Sequence, residues 1–187
     1  MRSQIAVSQT LSMKRLVTDY LALKNSEIPL VGVAAVPDEN NLLVWHINIR
    51  GQEGTLWQRG VFHMIMTFQK DYPLSPPKII HFTPLSHQNV HLKDRQRIVC
   101  LEQLTPKPTD QARWYEGWQS AYTVESILIQ LQSFLSEKSL TTASPAEIEV
   151  AKQEVDTANA FKCKSCRHKG SIELNPKFAE PLPNEFI

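Results

Sequence analysis

Four short β-like runs follow one another between residues 30 and 82, and their order limits the possible folds more than any other feature. They are LVGVAAV (30–36), LLVWHINIR (42–50), VFHMIMTF (61–68) and KIIHF (78–82). In the second run Leu43, Trp45, Ile47 and Ile49 alternate with Val44, His46, Asn48 and Arg50, the period of a half-buried strand. Gly51, Gly54 and Gly60 lie between the second and third runs, as hairpin turns require. Sequential strands with such short connections pair as an antiparallel meander, which the shorter fourth run extends. YPLSPP (72–77) then stops regular structure, because its three prolines lack ladder donors and fix the chain.

The flanks read as helices. Residues 10–25 put Leu16, Val17, Tyr20, Leu21 and Leu23 on one face and leave Lys14, Arg15, Asp19 and Lys24 polar. From the prolines to Trp118 the chain is mostly irregular and polar, and so long a loop region in a compact domain is usually functional. Thr123 then serves as a helix cap with Glu125 in the first turn. Val124, Ile127, Leu128, Leu131, Phe134 and Leu135 make one apolar stripe, which predicts a central core helix. Ser144-Pro145-Ala146-Glu147 starts a last helix with a cap serine, a proline at the first position and a glutamate three residues after the cap. The predicted class is α+β: a four-stranded antiparallel meander with one helix before it and two main helices after. Residues 1–161 form the core domain, and residues 162–187 form a tail with CKSCRHKG and a proline-rich end.

Composition narrows the function. The 187 residues are enough for one domain with a proper core, and 42% hydrophobic with 21% charged is ordinary for a soluble protein. Lys+Arg of 20 against Asp+Glu of 19 leaves a net charge of +1, which gives no electrostatic basis for binding nucleic acid or a membrane surface. No apolar run approaches the roughly 20 residues of a membrane span, and MRSQIAVSQTLSMKR lacks the apolar centre of a signal peptide. Three cysteines are an odd count, which suits a reducing compartment. The expectation is a monomer of the cytosol, the nucleus or both.

Within SHQNVHLKDRQRIVCLEQL (86–104), Cys100 sits between β-branched and aliphatic neighbours. Taken alone, it is either a catalytic thiol or a small apolar core residue, since unreactive cysteine is among the most buried types. The wider order of motifs decides between them. Tyr72-Pro73-Leu74-Ser75-Pro76-Pro77, His87-Gln88-Asn89-Val90, Ile98-Val99-Cys100-Leu101 and Trp118-Gln119-Ser120-Ala121-Tyr122-Thr123 occur in that sequence. Together they resemble the ubiquitin-conjugating enzyme family's Y-P-x-x-P-P, H-P-N, active-site cysteine segment and W-x-P-x-x-[ST], over residues 12–160. The phrases RLVTDYLALK, LVWHINIRG and FLSEKSLTTASPAEIE are most similar to the branch anchored to the endoplasmic reticulum, whose C-terminal membrane segment is missing here.

The resemblance implies a transferase. Cys100 accepts ubiquitin as a thioester from an activating enzyme and passes it to a substrate lysine with a ligase, because sulfur is both nucleophile and leaving group. It casts Asn89 as a donor to the oxyanion and His87 as a loop-shaping residue; Glu102, close to Cys100 in the chain, is a candidate to orient or desolvate the incoming lysine, the alternative being a surface charge. Lys14 and Arg15 match positions that meet the activating enzyme, and Leu74, Ser120 and Ala121 match those that meet ligases. No organic cofactor or metal is needed for that chemistry. Gln88 and Ser120 stand where the family has prolines. VHLKDRQRIV is a few residues longer than the family's spacing and lacks its glycine, which bears on the reach of Asn89 to Cys100. Leu140-Thr141-Thr142-Ala143 offers no acid at the gate before the last helix, and TPKPTDQARWYEG (105–117) is a long loop expected to border the site. Two alternatives stay open: a catalytically inactive, ubiquitin-binding scaffold, and a conjugating enzyme for a ubiquitin-like modifier. Cys163-x-x-Cys166 with His168 resembles half a zinc site, but structural zinc takes four ligands. The expectation is free thiols in the tail, the alternative a site completed by another chain or by His81, His87 or His91.

Overall fold

The computed structural model describes residues 2–106 and 117–166. Helix α1 (Arg2–Lys24) leads into strands β1 (Val33–Asp38), β2 (Asn41–Arg50), β3 (Val61–Thr67) and β4 (Lys78–His81). Strands β5 (Val90–Lys93) and β6 (Gln96–Val99) follow, then a short 3-10 turn (Glu102–Leu104), α2 (Val124–Leu135) and α3 (Pro145–Ala160). The α+β class and the antiparallel meander are as expected, but the count of four strands is corrected to six, in the order β1-β2-β3-β4-β6-β5. The two missed strands lie in the segment read as irregular loop. They are four residues each, too short for a period-2 pattern to stand out.

One sheet face carries the core. Ala35 pairs with Ile47, Ile47 with Met64 and Met64 with His81, so these side chains share the inner face. Trp45, Ile47, Ile49, Met64 and Met66 are fully buried there, beneath the α2 stripe of Ile127, Leu128, Leu131, Phe134 and Leu135. The caps form as predicted. Thr123 and Ser126 make a reciprocal capping box on α2, and Ser144 and Glu147 make another on α3. The second box holds the exposed Glu147 carboxyl down at about 2, chiefly through hydrogen bonds from Ser144.

Helix α1 begins at Arg2 rather than residue 10, consistent with a chain that has no Gly or Pro before Pro29. Its buried face is also different from the expected one. Leu16 and Tyr20 are buried as expected, but Leu21 is 40% exposed while Ser12 and Asp19 are buried. The reason lies in what Asp19 holds. Its carboxylate accepts from Arg15 Nε (3.1 Å), from the Tyr72 hydroxyl (3.1 Å) and from the Val124 N–H at the start of α2 (3.4 Å). Arg15 in turn donates to the Ser120 and Tyr122 carbonyls at 3.0 and 2.7 Å. A buried carboxylate is tolerated because a cation, a phenol and a helix N-terminus meet it together. Burial, with the Asp19 charge adding to it, pushes the Tyr72 hydroxyl pKa far up, so it stays a donor.

Strands β5 and β6 form a hairpin whose two-residue turn is Asp94-Arg95, both with positive φ (50° and 62°). That backbone is the primed turn that matches strand twist, built here without glycine. β6 rejoins the sheet through Ile80↔Ile98 and His81↔Arg97. Among the described residues no helix is long and apolar enough to cross a membrane.

Replacing Asp19 with Ala leaves the Arg15 guanidinium without its partner and should lower unfolding free energy by about 3 kcal/mol in urea titrations. Converting Asp94-Arg95 to Asn-Gly relieves two left-handed residues and should raise stability by about 1 kcal/mol in the same measurement.

Candidate active site

Cys100 lies just past β6, and its side chain is exposed while Val99 and Leu101 on either side are buried. The core-filling alternative therefore does not hold for this thiol. Its backbone continues the hairpin by one step: Val90 pairs with Val99, and the Cys100 N–H donates to the Asn89 carbonyl at 2.8 Å. Asn89 thus lies opposite Cys100 at the base of the hairpin. VHLKDRQRIV makes up most of this hairpin, with the Asn89–Cys100 bond at its base. Among the described residues the Asn89 side-chain amide has no hydrogen-bond partner, so its donors are available at this position.

His87 sets the turn that delivers Asn89. Its Nδ1 accepts the Asn89 N–H at 3.1 Å, and its carbonyl accepts from Val90 N–H at 3.0 Å. An accepting Nδ1 puts the ring proton on Nε2, which lies 3.3 Å from the Glu137 carboxylate without forming a hydrogen bond. The ring is buried between Trp57 (5.5 Å) and Phe134 (4.0 Å between ring centroids). Burial lowers the His87 pKa, against the opposing pull of Glu137, and so keeps the imidazole neutral. Gln88 donates to the same Glu137 carboxylate at 3.3 Å. Glu137 is a site residue that sequence reading missed, because it lies 49 residues away at the far end of α2 and carries no motif.

Glu102 opens the 3-10 turn two residues after Cys100 and is exposed. Residues 107–116 of the expected bordering loop lie outside the described residues. The Leu140–Ala143 stretch is anchored at its start, where Leu140 N–H donates to the Gly54 carbonyl at 2.9 Å.

The residues matched to partner surfaces cluster at one end. Trp118 Nε1 donates to the Pro73 carbonyl at 2.8 Å, joining the loop of Leu74 to the loop of Ser120 and Ala121. Leu74 is 69% exposed, and Ser120 and Ala121 are exposed beside it in chain order. Lys14 is exposed as well, whereas the Arg15 guanidinium is taken up by Asp19 and the two loop carbonyls.

Cys163 and Cys166 are free of disulfide and lie against the outer face of the sheet. The histidines they meet are His46 and His63, not the three considered from the sequence. His81 donates to the Thr83 carbonyl at 2.8 Å, His87 serves the Asn89 turn, and His91 is exposed on β5. His168 lies outside the described residues. The signal for His46 and His63 was present in the strand pattern, since both fall at outward positions of neighbouring strands. Without the register of β2 on β3 nothing joined them to a motif over 100 residues away.

The described arrangement has counterparts among known proteins. A family model described as ubiquitin-conjugating enzyme matches residues 15–168. Ubiquitin-conjugating enzyme E2 7 of Arabidopsis thaliana is 38% identical over 138 residues, covering 72% of this chain and 80% of its own length. Ubiquitin-conjugating enzyme E2 15 of Schizosaccharomyces pombe is 37% identical over 129 residues, covering 67% and 74%. The structure of human ubiquitin-conjugating enzyme E2 G1 is similar with a TM-score of 0.54 at 35% identity, over 69% of this chain and 94% of that one.

Two buried imidazoles make the fold sensitive to acid. Burial lowers His81 to about 4, with the Thr83 hydrogen bond opposing and Arg97 reinforcing, and it lowers His87 in the same direction. Protonation then favours the unfolded chain, whose histidines titrate near 6.5, so stability is full above that pH and falls as pH drops towards 4. Urea midpoints should be level above about pH 7 and decline below about 6.5, and His81→Gln should flatten part of that decline.

Proposed function

Because the chain belongs to the ubiquitin-conjugating enzyme family, we propose that it carries ubiquitin as a thioester on Cys100 and transfers it to lysine amines. One observation supports this reading above the rest: an exposed thiol stands directly across a hairpin base from an asparagine whose amide has no partner among the described residues. In the first half-reaction the Cys100 thiolate attacks the carbonyl of ubiquitin held as a thioester on the activating enzyme, whose own thiolate leaves. In the second, a neutral lysine amine attacks the new thioester. The tetrahedral oxyanion accepts a hydrogen bond from the Asn89 amide, and collapse expels the Cys100 thiolate as the isopeptide bond forms, the proton lost by the attacking nitrogen passing to solvent.

His87 takes no proton in this scheme. It holds the Asn89 backbone, and its buried, neutral ring keeps that turn from changing charge near neutral pH. The lysine ammonium, with a pKa near 10.4 in water, must shed a proton before attack, and the exposed Glu102 carboxylate orients it on the approach side. Lys14 offers the exposed cation for the activating enzyme, with Arg15 shaping the helix beneath. Leu74, Ser120 and Ala121 face ligases, exposed on two loops that Trp118 joins.

With activating enzyme, ATP and ubiquitin, the wild-type chain should form a reductant-sensitive adduct. Cys100→Ala should form none, and Cys100→Ser should form a reductant-resistant one. Asn89→Ala should charge normally yet discharge to free lysine about 100-fold more slowly, the cost of one oxyanion donor. Failure to charge from any activating enzyme would sink the catalytic reading in favour of a ubiquitin-binding scaffold. Charging by a ubiquitin-like modifier alone would keep the chemistry and change the cargo.

A further inference from the structure

His46 on β2 and His63 on β3 occupy diagonal positions on the outer sheet face, since His46 pairs with Ile65 and His63 with Asn48. The segment after α3 passes over them, with the Phe161 ring stacked on His63 at 5.4 Å and 25°. It brings Cys163 Sγ to 3.7 Å from His46 Nδ1 and Cys166 Sγ to 3.9 Å from His63 Nε2. Those two nitrogens are 3.4 Å apart, and all four ligand atoms lie within 4.8 Å of one another. We infer that His46, His63, Cys163 and Cys166 form a structural zinc site that fastens the chain after α3 to the outer face of the sheet.

The edge lengths fit the ion. A tetrahedron with Zn–N near 2.05 Å and Zn–S near 2.3 Å has edges of about 3.3 Å (N···N), 3.6 Å (N···S) and 3.8 Å (S···S). The observed N···N distance of 3.4 Å and the two N···S distances of 3.7 and 3.9 Å lie close to the first two of these edges.

The outer nitrogens carry a second, independent observation. His63 Nδ1 lies 2.7 Å from Asn48 Oδ1, and His46 Nε2 lies 3.3 Å from Asp38 Oδ2. Both partners are acceptors, so the ring protons belong on those outer nitrogens, and the lone pairs of His46 Nδ1 and His63 Nε2 point inward. Two neutral imidazoles aimed at each other in this way repel unless a cation lies between them. Oriented imidazoles backed by a carboxylate or amide oxygen are how metal-binding histidines are held.

Charge and burial agree with this. His46 and His63 are 3% and 0% exposed, on a sheet face whose other covering includes Phe82 and Phe161. Zn²⁺ with two thiolates and two neutral imidazoles is a neutral centre, and its formation releases the two thiol protons to solvent. Two sulfur and two imidazole donors in a tetrahedron select zinc over the oxygen-loving divalent ions, and four protein ligands leave no open position for catalysis. The site shares no residue with Cys100 or Asn89, so it stands whether or not the catalytic reading does.

The full chain, purified without a histidine tag from zinc-supplemented medium, should hold one zinc per molecule by elemental analysis. Alkylation of that protein should modify exposed Cys100 at once, and Cys163 with Cys166 only after a strong chelator is added. Cobalt substitution should give the thiolate charge-transfer band and the intense visible bands of a tetrahedral site. The Cys163→Ser/Cys166→Ser double variant and His46→Gln should each lose the metal. If either variant fails to fold, the wild-type alkylation and cobalt spectra still decide. Substoichiometric metal, chelator-independent alkylation of all three cysteines, an octahedral cobalt spectrum or a Cys163–Cys166 disulfide in zinc-supplemented protein purified in the presence of a thiol reductant would each overturn the site.

Discussion

The buried carboxylate of Asp19 is the interaction on which the arrangement of this domain depends. It joins three separate parts of the chain: α1 through Arg15, the proline turn through Tyr72, and the start of α2 through Val124. Hydrophobic burial alone would let these parts slide, because apolar contact has no direction. A carboxylate that must be met on every side does have direction. The Arg15 bonds to the Ser120 and Tyr122 carbonyls then fix the loop entering α2, and Trp118 fixes that loop to the proline turn. The end of the molecule that presents Leu74, Ser120 and Ala121 is therefore set from the inside.

The candidate catalytic pair is built on the same plan, with local backbone bonds supported by a buried polar group. Cys100 and Asn89 face each other because a hairpin base must close, and His87 holds the turn because its ring is kept neutral between Trp57 and Phe134. Trp57 is itself fastened by its indole N–H to Glu154 on α3 at 2.8 Å. Support for the segment around Asn89 thus runs through the β2–β3 connection to the last helix, while the thiol stays at the surface.

Much of this was legible in the residues. The strand alternation from Leu43 to Arg50, the Thr123 and Ser144 caps and the α2 stripe carry local periodic or capping signals, and the folded chain follows them. The hairpin of β5 and β6 was not, because four-residue strands around a turn of Asp94 and Arg95 lack both length and the glycine that marks such turns. Asp19 falls on the polar side of its helix pattern, since periodicity ranks a residue by polarity and cannot see a partner 105 residues away. His46 and Asn48 read correctly as outward-facing. His46 is nevertheless buried, and chain that arrives more than 100 residues later lies against it. Motif order brought Cys100 and Asn89 together before any geometry did, while the four-residue cluster of His46, His63, Cys163 and Cys166 needed the sheet register to become visible.

The β5–β6 hairpin separates how far the molecule reaches from what it does. One residue added to each strand would carry the Lys93–Gln96 tip about 3.4 Å further out, leaving the base pair of Asn89 and Cys100 where it is. The tip is exposed and bears charges of both signs in Lys93, Asp94 and Arg95. A change of length or charge at that tip therefore alters the outer surface of the hairpin and not the spacing at its base.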